Sequence, residues 1–379
     1  MNVALSFPGC HRRGGVERIV FECARYMSGR GHRVDVYTNE WETDSTVSIN
    51  YRSVPMRRSP WFLRGKSYFT NCSRILDPSR YDIVNTHGCV CPFGGVQWVQ
   101  SVHRAWLERG RQLRGPWSRA GWKQRLNPLH PILLDLETKH FAGRRYKKII
   151  ATTPQVRADL HRLYGVPEGD VVIVPNGFSP TEFSPQRSAE RRDQMRRQIG
   201  LTPDHIALLF VGNELERKGF RTLLSAVKIL NRPELRIMVV GRPPVRSVMQ
   251  MASQFGLASQ VIACGLAEDV AAYHAACDLF VLPTQYEAFC LAILEALGSG
   301  MPVITSNVPG ARDAIVPGVN GALIDDPLDG PQLAAVLEPL LNGDLRALFA
   351  ARASESVAEY QWPKVLGRYE GVLEQNRIP

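Results

Sequence analysis

Short, near-continuous apolar runs alternate along this chain with longer segments whose apolar residues recur every three or four positions. The runs have the length and content of strands buried on both faces, and the spaced segments have the period of helices with one buried side. In the first half the strand-like runs are Val3–Phe7, Arg33–Tyr37, Asp82–Asn85, Trp98–Val102, Lys148–Thr152 and Val171–Val174. Between the first two, Val16, Ile19, Val20, Cys23, Ala24 and Met27 mark a helix that Gly29 and Gly31 end. The second half restarts at Ile206–Val211, continues with a helix from Phe220, and adds strands at Arg236–Val240, Leu279–Leu282 and Pro302–Thr305. This alternation predicts an α/β protein of two doubly wound, Rossmann-like parallel-sheet domains, each binding its ligand at the carboxyl ends of its strands. The break is expected between the turn-rich Pro175–Pro180 and the charged run Arg187–Arg197.

Composition sharpens this picture without redirecting it. A length of 379 residues suits two domains, and 44% hydrophobic with 22% charged residues is the balance of a soluble globular chain. No run of 18 apolar residues occurs, and the opening Met1–Gly9 lacks the pattern of a signal peptide. Eight cysteines are scattered without zinc-site spacing, which points to free thiols in a reducing cytoplasm. The net charge of +10 is uneven: residues 1–185 hold 27 Lys+Arg against 15 Asp+Glu, and the remainder 19 against 21. An anionic partner is therefore expected for the first half.

Glu287 and Glu295 are the pair with the clearest chemical meaning. They flank the start of an apolar helix containing Leu291, Ala292, Leu294, Ala296 and Leu297, where a buried carboxylate needs partners. If both are helical they are separated by about 12 Å along the axis, one at the helix mouth and one deeper. The backbone N–H groups of Ala288, Phe289 and Cys290 would then open the helix toward a docked anion. The alternative is two solvated helix acids.

Several further segments fall in a recognisable order: Gly14–Arg18, Pro175–Gly177 followed by Phe183 and Pro185, Val211–Gly219, Glu287–Glu295, Gly300–Ile304, Asn320–Gly321 and Tyr360–Tyr369. Together they resemble glycosyltransferase family 4, a retaining family of GT-B architecture, almost end to end. The opening and the Glu216–Gly219 loop resemble lipopolysaccharide core glucosyltransferases. The resemblance implies two Rossmann-like domains facing across a cleft. Residues 1–178 would bind the acceptor, residues 179–359 would bind the donor, and 360–379 would cross back onto the first domain. It also implies a nucleotide-diphosphate sugar, a UDP-hexose, as donor.

Roles follow residue by residue. Arg217 and Lys218, between Gly212 and Gly219, would meet the charge that develops on the departing diphosphate. Family members often carry Arg where this chain has Asn213, and Gly where it has Ala288 and Cys290. Gly15 would let the backbone approach the diphosphate. Glu295 would bind the ribose hydroxyls. Glu287 would lie by the transferred sugar, with backbone N–H groups of Phe289, Cys290 and Leu291 alongside. His103, ending the strand Trp98–Val102, would touch the donor sugar, and His87, ending the strand before it, is a second candidate. No Asp-x-Asp motif sits at a strand end, Asp325–Asp326 reading as a turn, so neither metal nor cofactor is expected.

Residues 104–148 carry 12 Lys+Arg against Glu108, Asp135 and Glu137, with Trp106, Trp117 and Trp122 interleaved. That mixture suits an anionic membrane surface, hence a protein peripheral to the inner face of the cytoplasmic membrane and a lipid-linked glycan acceptor. No nucleic-acid-binding motif accompanies the basic segment. A nucleotide-sugar 2-epimerase of the same architecture, transfer to a soluble acceptor, and a non-catalytic sugar-nucleotide binder are the alternatives.

Overall fold

The computed structural model describes residues 1–114 and 119–377. They form two compact units, Met1–Asn176 with Trp362–Pro379, and Gly177–Gln361. The chain thus passes from the first unit to the second between Asn176 and Gly177.

The first unit is built on a seven-stranded sheet. Its order is Ile49–Ser53, Arg33–Thr38, Asn2–Ser6, Ile83–His87, Val96–Val99, Lys148–Ala151, Val171–Ile173, with every neighbouring pair parallel. The central strands Ile83–His87 and Val96–Val99 are wholly buried, their polar members Asn85, Thr86, His87 and Gln97 included. The run expected over Trp98–Val102 instead pairs from Val96 and stops at Val99. The C-terminal helix Trp362–Gln375 belongs to this unit and buries Trp362, Val365, Leu366, Tyr369 and Leu373. Tyr369 stacks on Trp98 at 5.1 Å between ring centroids and donates its hydroxyl to Asn85 Oδ1 at 3.0 Å. Glu370 accepts from Tyr26 at 3.1 Å and lies 2.7 Å from His32 Nε2, so one face of the helix is apolar and its margin is polar and paired.

The second unit holds a six-stranded parallel sheet. Its order is Val261–Gly265, Leu235–Val240, Ile206–Val211, Leu279–Leu282, Val303–Ser306, Gly321–Ile324. The order reverses between Ile206–Val211 and Leu279–Leu282, so the crevice outside their carboxyl ends is the place where a doubly wound sheet takes a ligand. The charged run Arg187–Arg197 lies in the helix Pro185–Gln198, capped by the Ser184 hydroxyl and part of this unit. Arg192 donates to the carbonyls of Ala275 and Cys277 and to Asp278, and buried Arg196 donates to the carbonyls of Ala276, Thr202 and His205. These guanidinium groups satisfy carbonyls at an element's end that would otherwise be orphaned.

Candidate active site

Two loops leave the sheet of the second unit at its reversal point. The first, residues 212–219, joins the strand Ile206–Val211 to the helix Phe220–Leu230, and the second, residues 283–290, joins Leu279–Leu282 to the helix Leu291–Gly298. They are tied together by backbone. Gln285 N donates to Arg217 O at 2.9 Å, and the Gln285 carboxamide donates to Glu216 O at 2.8 Å. Gly219 lies at φ +81°, where a Cβ would come within 2.0 Å of Pro283 O, so both the conformation and the contact require glycine.

Charge gathers where the loops meet. Lys218 Nζ donates to Glu287 Oε1 at 2.5 Å, Arg217 Nη1 lies 3.3 Å from the same oxygen, and the Thr284 hydroxyl donates to it at 3.0 Å. Arg217 also donates to Tyr286 O at 2.5 Å and to Glu214 at 2.9 Å. Side-chain exposure of only 13% at Lys218 and 8% at Glu287 makes this a desolvated ion pair rather than a surface bridge. Burial pushes the Glu287 carboxyl up, but the Lys218 ammonium and Arg217 guanidinium beside it more than offset that and hold it below the usual carboxylate range. Burial likewise disfavours the Lys218 ammonium, and Glu287 outweighs it, leaving the amine above its ordinary value. Both groups are therefore ionised at neutral pH.

Glu287 precedes the helix, which begins at Leu291; Glu295 alone of the two acids is helical, and it is half-buried. The helix starts late because the Cys290 N–H donates to Gly310 O at 3.0 Å and Ile293 N already bonds Cys290 O. The Cys290 amide, expected to face a ligand, is thereby committed, whereas Leu291 is the first residue of the helix N-terminus itself. The Phe289 ring lies 6.1 Å from that of Tyr360. Asn213 accepts from Arg242 N at 3.1 Å, joining the first loop to the segment after Leu235–Val240. A cavity of about 470 Å³ between the helix Pro185–Gln198 and residues 266–273 has none of these residues in its wall.

In the first unit, His103 does not end a strand; it opens the helix His103–Arg114. Val102 is buried and so looks like strand in sequence, but the sheet has already released the chain at Val99. The two oxygens of Glu137 cap this helix, accepting from His103 N at 2.5 Å and Arg104 N at 3.1 Å, and Tyr164 donates to Glu137 at 2.7 Å. The His103 ring stacks on Trp106 at 5.5 Å, and its Nε2 is 3.1 Å from His130 Nδ1. Neither Glu137 nor His130 was legible as part of this arrangement, because both reach His103 from about 30 residues away. His87 does end its strand, yet it is fully buried between Phe7 and Trp98, and burial pushes its imidazole down to about 3. Gly15 stands just before the helix Val16–Gly29, and a Cβ there would meet open space.

Within the basic segment, Trp122 is 47% and Leu126 74% exposed, so an apolar edge does reach solvent. Trp106 faces inward on the histidine pair instead. Arg104 pairs with Glu108 and Lys139 with Asp135, which removes part of the charge excess. Trp117 and the side chains of Arg114, Arg119 and Lys123 lie outside the described residues. No helix among the described residues is long and apolar enough to cross a membrane.

Two doubly wound parallel-sheet units are the architecture of the GT-B glycosyltransferases. The model of glycosyltransferase family 4 matches residues 13–182, and that of glycosyl transferases group 1 matches residues 191–356; the chain belongs to this class of GT-B glycosyltransferases. The lipopolysaccharide glucosyltransferase WaaG of Escherichia coli K12 is 26% identical over 344 residues, covering 90% of each chain. A crystal structure of WaaG superposes with a TM-score of 0.82 at 25% identity, covering 98% of this chain and 99% of that one. A D-inositol 3-phosphate glycosyltransferase of Thermobispora bispora is 28% identical over 409 residues, covering 98% of this chain and 92% of the relative. The Anabaena protein HepE in complex with UDP-glucose shares the fold, with a TM-score of 0.74 at 17% identity over 99% of this chain and all of that one.

Proposed function

We propose that this glycosyltransferase moves a hexosyl group, with retention at the anomeric carbon, from a UDP-hexose to a lipid-linked glycan acceptor in cell-surface polysaccharide or lipopolysaccharide synthesis. The observation that carries the donor half is the buried Lys218–Glu287–Arg217 cluster at the sheet reversal, beside the helix N-terminus at Leu291. Lysine is a mobile point charge on a flexible stem. Turning Lys218 from Glu287 toward a diphosphate exchanges one anion for another within the same cluster. As the glycosidic bond breaks, negative charge grows on the β-phosphate, and Lys218, Arg217 and the helix amides lie where it can be stabilised. That provision makes the transfer metal-independent and free of any cofactor in this reading.

Glu295 is assigned to the ribose hydroxyls, and Glu287 and His103 to the transferred sugar. The backbone at Gly15, Gly212, Asn213, Phe289 and Leu291 is assigned to the donor's phosphates and sugar. Residues 1–176 would serve the acceptor and 177–361 the donor. The WaaG relative supports a glucosyl donor and a lipopolysaccharide acceptor, and the exposed Trp122–Leu126 edge in a basic segment supports a peripheral seat on anionic lipid at the inner face of the cytoplasmic membrane. The inositol-phosphate relatives favour a second reading, a soluble phosphorylated acceptor.

The test is a thermal-shift panel of UDP-, GDP- and ADP-hexoses, followed by mass spectrometry of products formed with lipid-linked or soluble acceptors. A donor at 100 times its Kd adds about 2.7 kcal/mol of stability. Stabilisation by UDP-glucose or UDP-galactose and a lipid-linked product are expected. Stabilisation by no UDP-sugar overturns the donor assignment.

A further inference from the structure

Cys72 and Cys91 stand 19 residues apart in the chain, yet their Sγ atoms lie 3.6 Å from one another inside the first unit. Cys72 is on the helix Arg64–Ile75, and Cys91 is in the segment 88–95 between the strands Ile83–His87 and Val96–Val99. Both side chains are buried in one apolar cluster with Ala4, Tyr37, Tyr68 and Val84. Polar atoms reach this cluster at one point. Ser6 Oγ is 3.4 Å from Cys72 Sγ and 3.0 Å from the Tyr68 hydroxyl, which donates to Tyr37 O at 2.6 Å. The adjoining Cys91 sulfhydryl favours the Cys72 thiolate, and with Ser6 it outweighs the burial that opposes it, so Cys72 lies below the ordinary thiol value. Burial, with Cys72 alongside, pushes the Cys91 thiol up. The two sulfurs are in contact but unequal, Cys72 being the readier nucleophile.

We propose that Cys72 and Cys91 form a redox modification site: hydrogen peroxide closes them to a disulfide within the folded first unit, tying the helix Arg64–Ile75 to the segment 88–95. The Cys72 thiolate attacks one peroxide oxygen and the O–O bond breaks, giving a sulfenic acid and a hydroxide that takes up the thiol's proton as water. Cys91 Sγ then attacks Cys72 Sγ, the S–S bond forms, and the sulfenic hydroxyl leaves with the Cys91 proton as a second water. Two thiols lose two electrons, and one peroxide gains them. An S–S bond of about 2.0 Å asks each sulfur to move roughly 0.8 Å, on the scale of a side-chain rotation. The cover over Cys91 is thin: Val90, Pro92 and Phe93 are half-buried and Gly94 is exposed, so local opening of this segment admits a small oxidant. The segment leaves the sheet at the carboxyl end of its strand, the end at which a doubly wound sheet takes its ligand. Oxidation would therefore stiffen backbone on the ligand side of this unit.

The experiment treats the folded full-length chain with hydrogen peroxide, removes the excess, unfolds the protein and alkylates every remaining thiol. Intact mass is expected to show two fewer alkylated cysteines than the eight free ones of the untreated chain, and dithiothreitol should restore all eight. Peptide mapping without reduction should join the Cys72 peptide to the Cys91 peptide. The joined protein should melt about 5 °C higher, because the cross-link closes a loop of about 20 residues in the unfolded chain. Hydrogen exchange at the amides of residues 88–95 should slow at least threefold. C72S and C91S should each abolish the link, and dimedone should trap a sulfenic acid on Cys72 in C91S but not on Cys91 in C72S. Three results would overturn the inference: a link that joins other cysteines, sulfinic or sulfonic acids formed with no link, or a Cys72–Cys91 link whose product melts below the reduced protein. The last would mean that the bond forms only after the unit has come apart. The mapping on the wild-type chain decides the matter even if either serine variant folds poorly.

Discussion

Replacing Lys218 by Met keeps most of the stem and removes the ammonium. Glu287 then loses its 2.5 Å partner but keeps Arg217 at 3.3 Å and the Thr284 hydroxyl at 3.0 Å. Orphaning a buried charge outright costs about 3–5 kcal/mol. With two of three partners left, a loss of about 1–3 kcal/mol is expected, which corresponds to roughly 3–10 °C in Tm for a unit of this size. The sign of the pH dependence follows from Glu287. Its folded value is depressed, so its contribution is complete above its unfolded value and is lost as pH falls through the folded one. The difference in stability between wild type and variant should therefore be widest at neutral pH and close as pH drops below about 4. Turnover should fall further than stability does. Losing one preorganised charge at a developing anion is worth about 100- to 1,000-fold in kcat. The measurement is nucleoside diphosphate release from UDP-glucose or the best donor of the panel, with melting curves between pH 3 and 8 on the same preparations. Turnover within threefold of wild type in a folded K218M protein would remove the ion pair from catalysis.

Three shorter predictions accompany this one. E295A should weaken free UDP measured by calorimetry by tenfold or more, whereas E287A should chiefly lower turnover of the intact donor; equal UDP affinity in the two variants would defeat the division of roles. G219A places a Cβ against Pro283 O in a left-handed backbone, so it should cost at least about 2 kcal/mol in chemical denaturation, and wild-type stability would mean that the loop relaxes freely. Binding to vesicles should require anionic lipid, decline as salt is raised through the range in which charges are screened, and weaken when Arg109, Arg111, Arg114 and Arg119 are neutralised together; equal binding to neutral vesicles would favour the soluble acceptor.

The sheets were legible wherever a strand is buried on both sides. Ile206–Val211 and Leu279–Leu282 are where their apolar runs put them, and so is the helix from Phe220. Ile49–Ser53 went unread because it is an edge strand of half-exposed and exposed residues with no continuous apolar run, whereas Val261–Gly265, at an edge of the second sheet, was missed although Val261–Cys264 is an unbroken apolar run. Gly321–Ile324, at the other edge of the second sheet, has too short a run to stand out. The resemblance located Lys218 and Glu287, but no local pattern says that residues 69 apart form a salt bridge. The misreadings at His103 and Glu287 share one cause. Each helix start is set by a partner distant in sequence, Glu137 for the first and Gly310 for the second, and periodicity sees only neighbours.

The two loops at the sheet reversal behave mechanically as one piece. Gly219 leaves no room against Pro283, Gln285 bonds back to both Glu216 and Arg217, and the Lys218–Glu287 pair closes the join. A donor preference therefore cannot be transplanted by exchanging residues 212–219 or 283–290 alone. Either half, moved into a relative, would meet a foreign counterpart and lose its shape before its selectivity could be tested. Chimeras and directed-evolution libraries aimed at new sugars should treat the two stretches as one heritable cassette, varied and selected together.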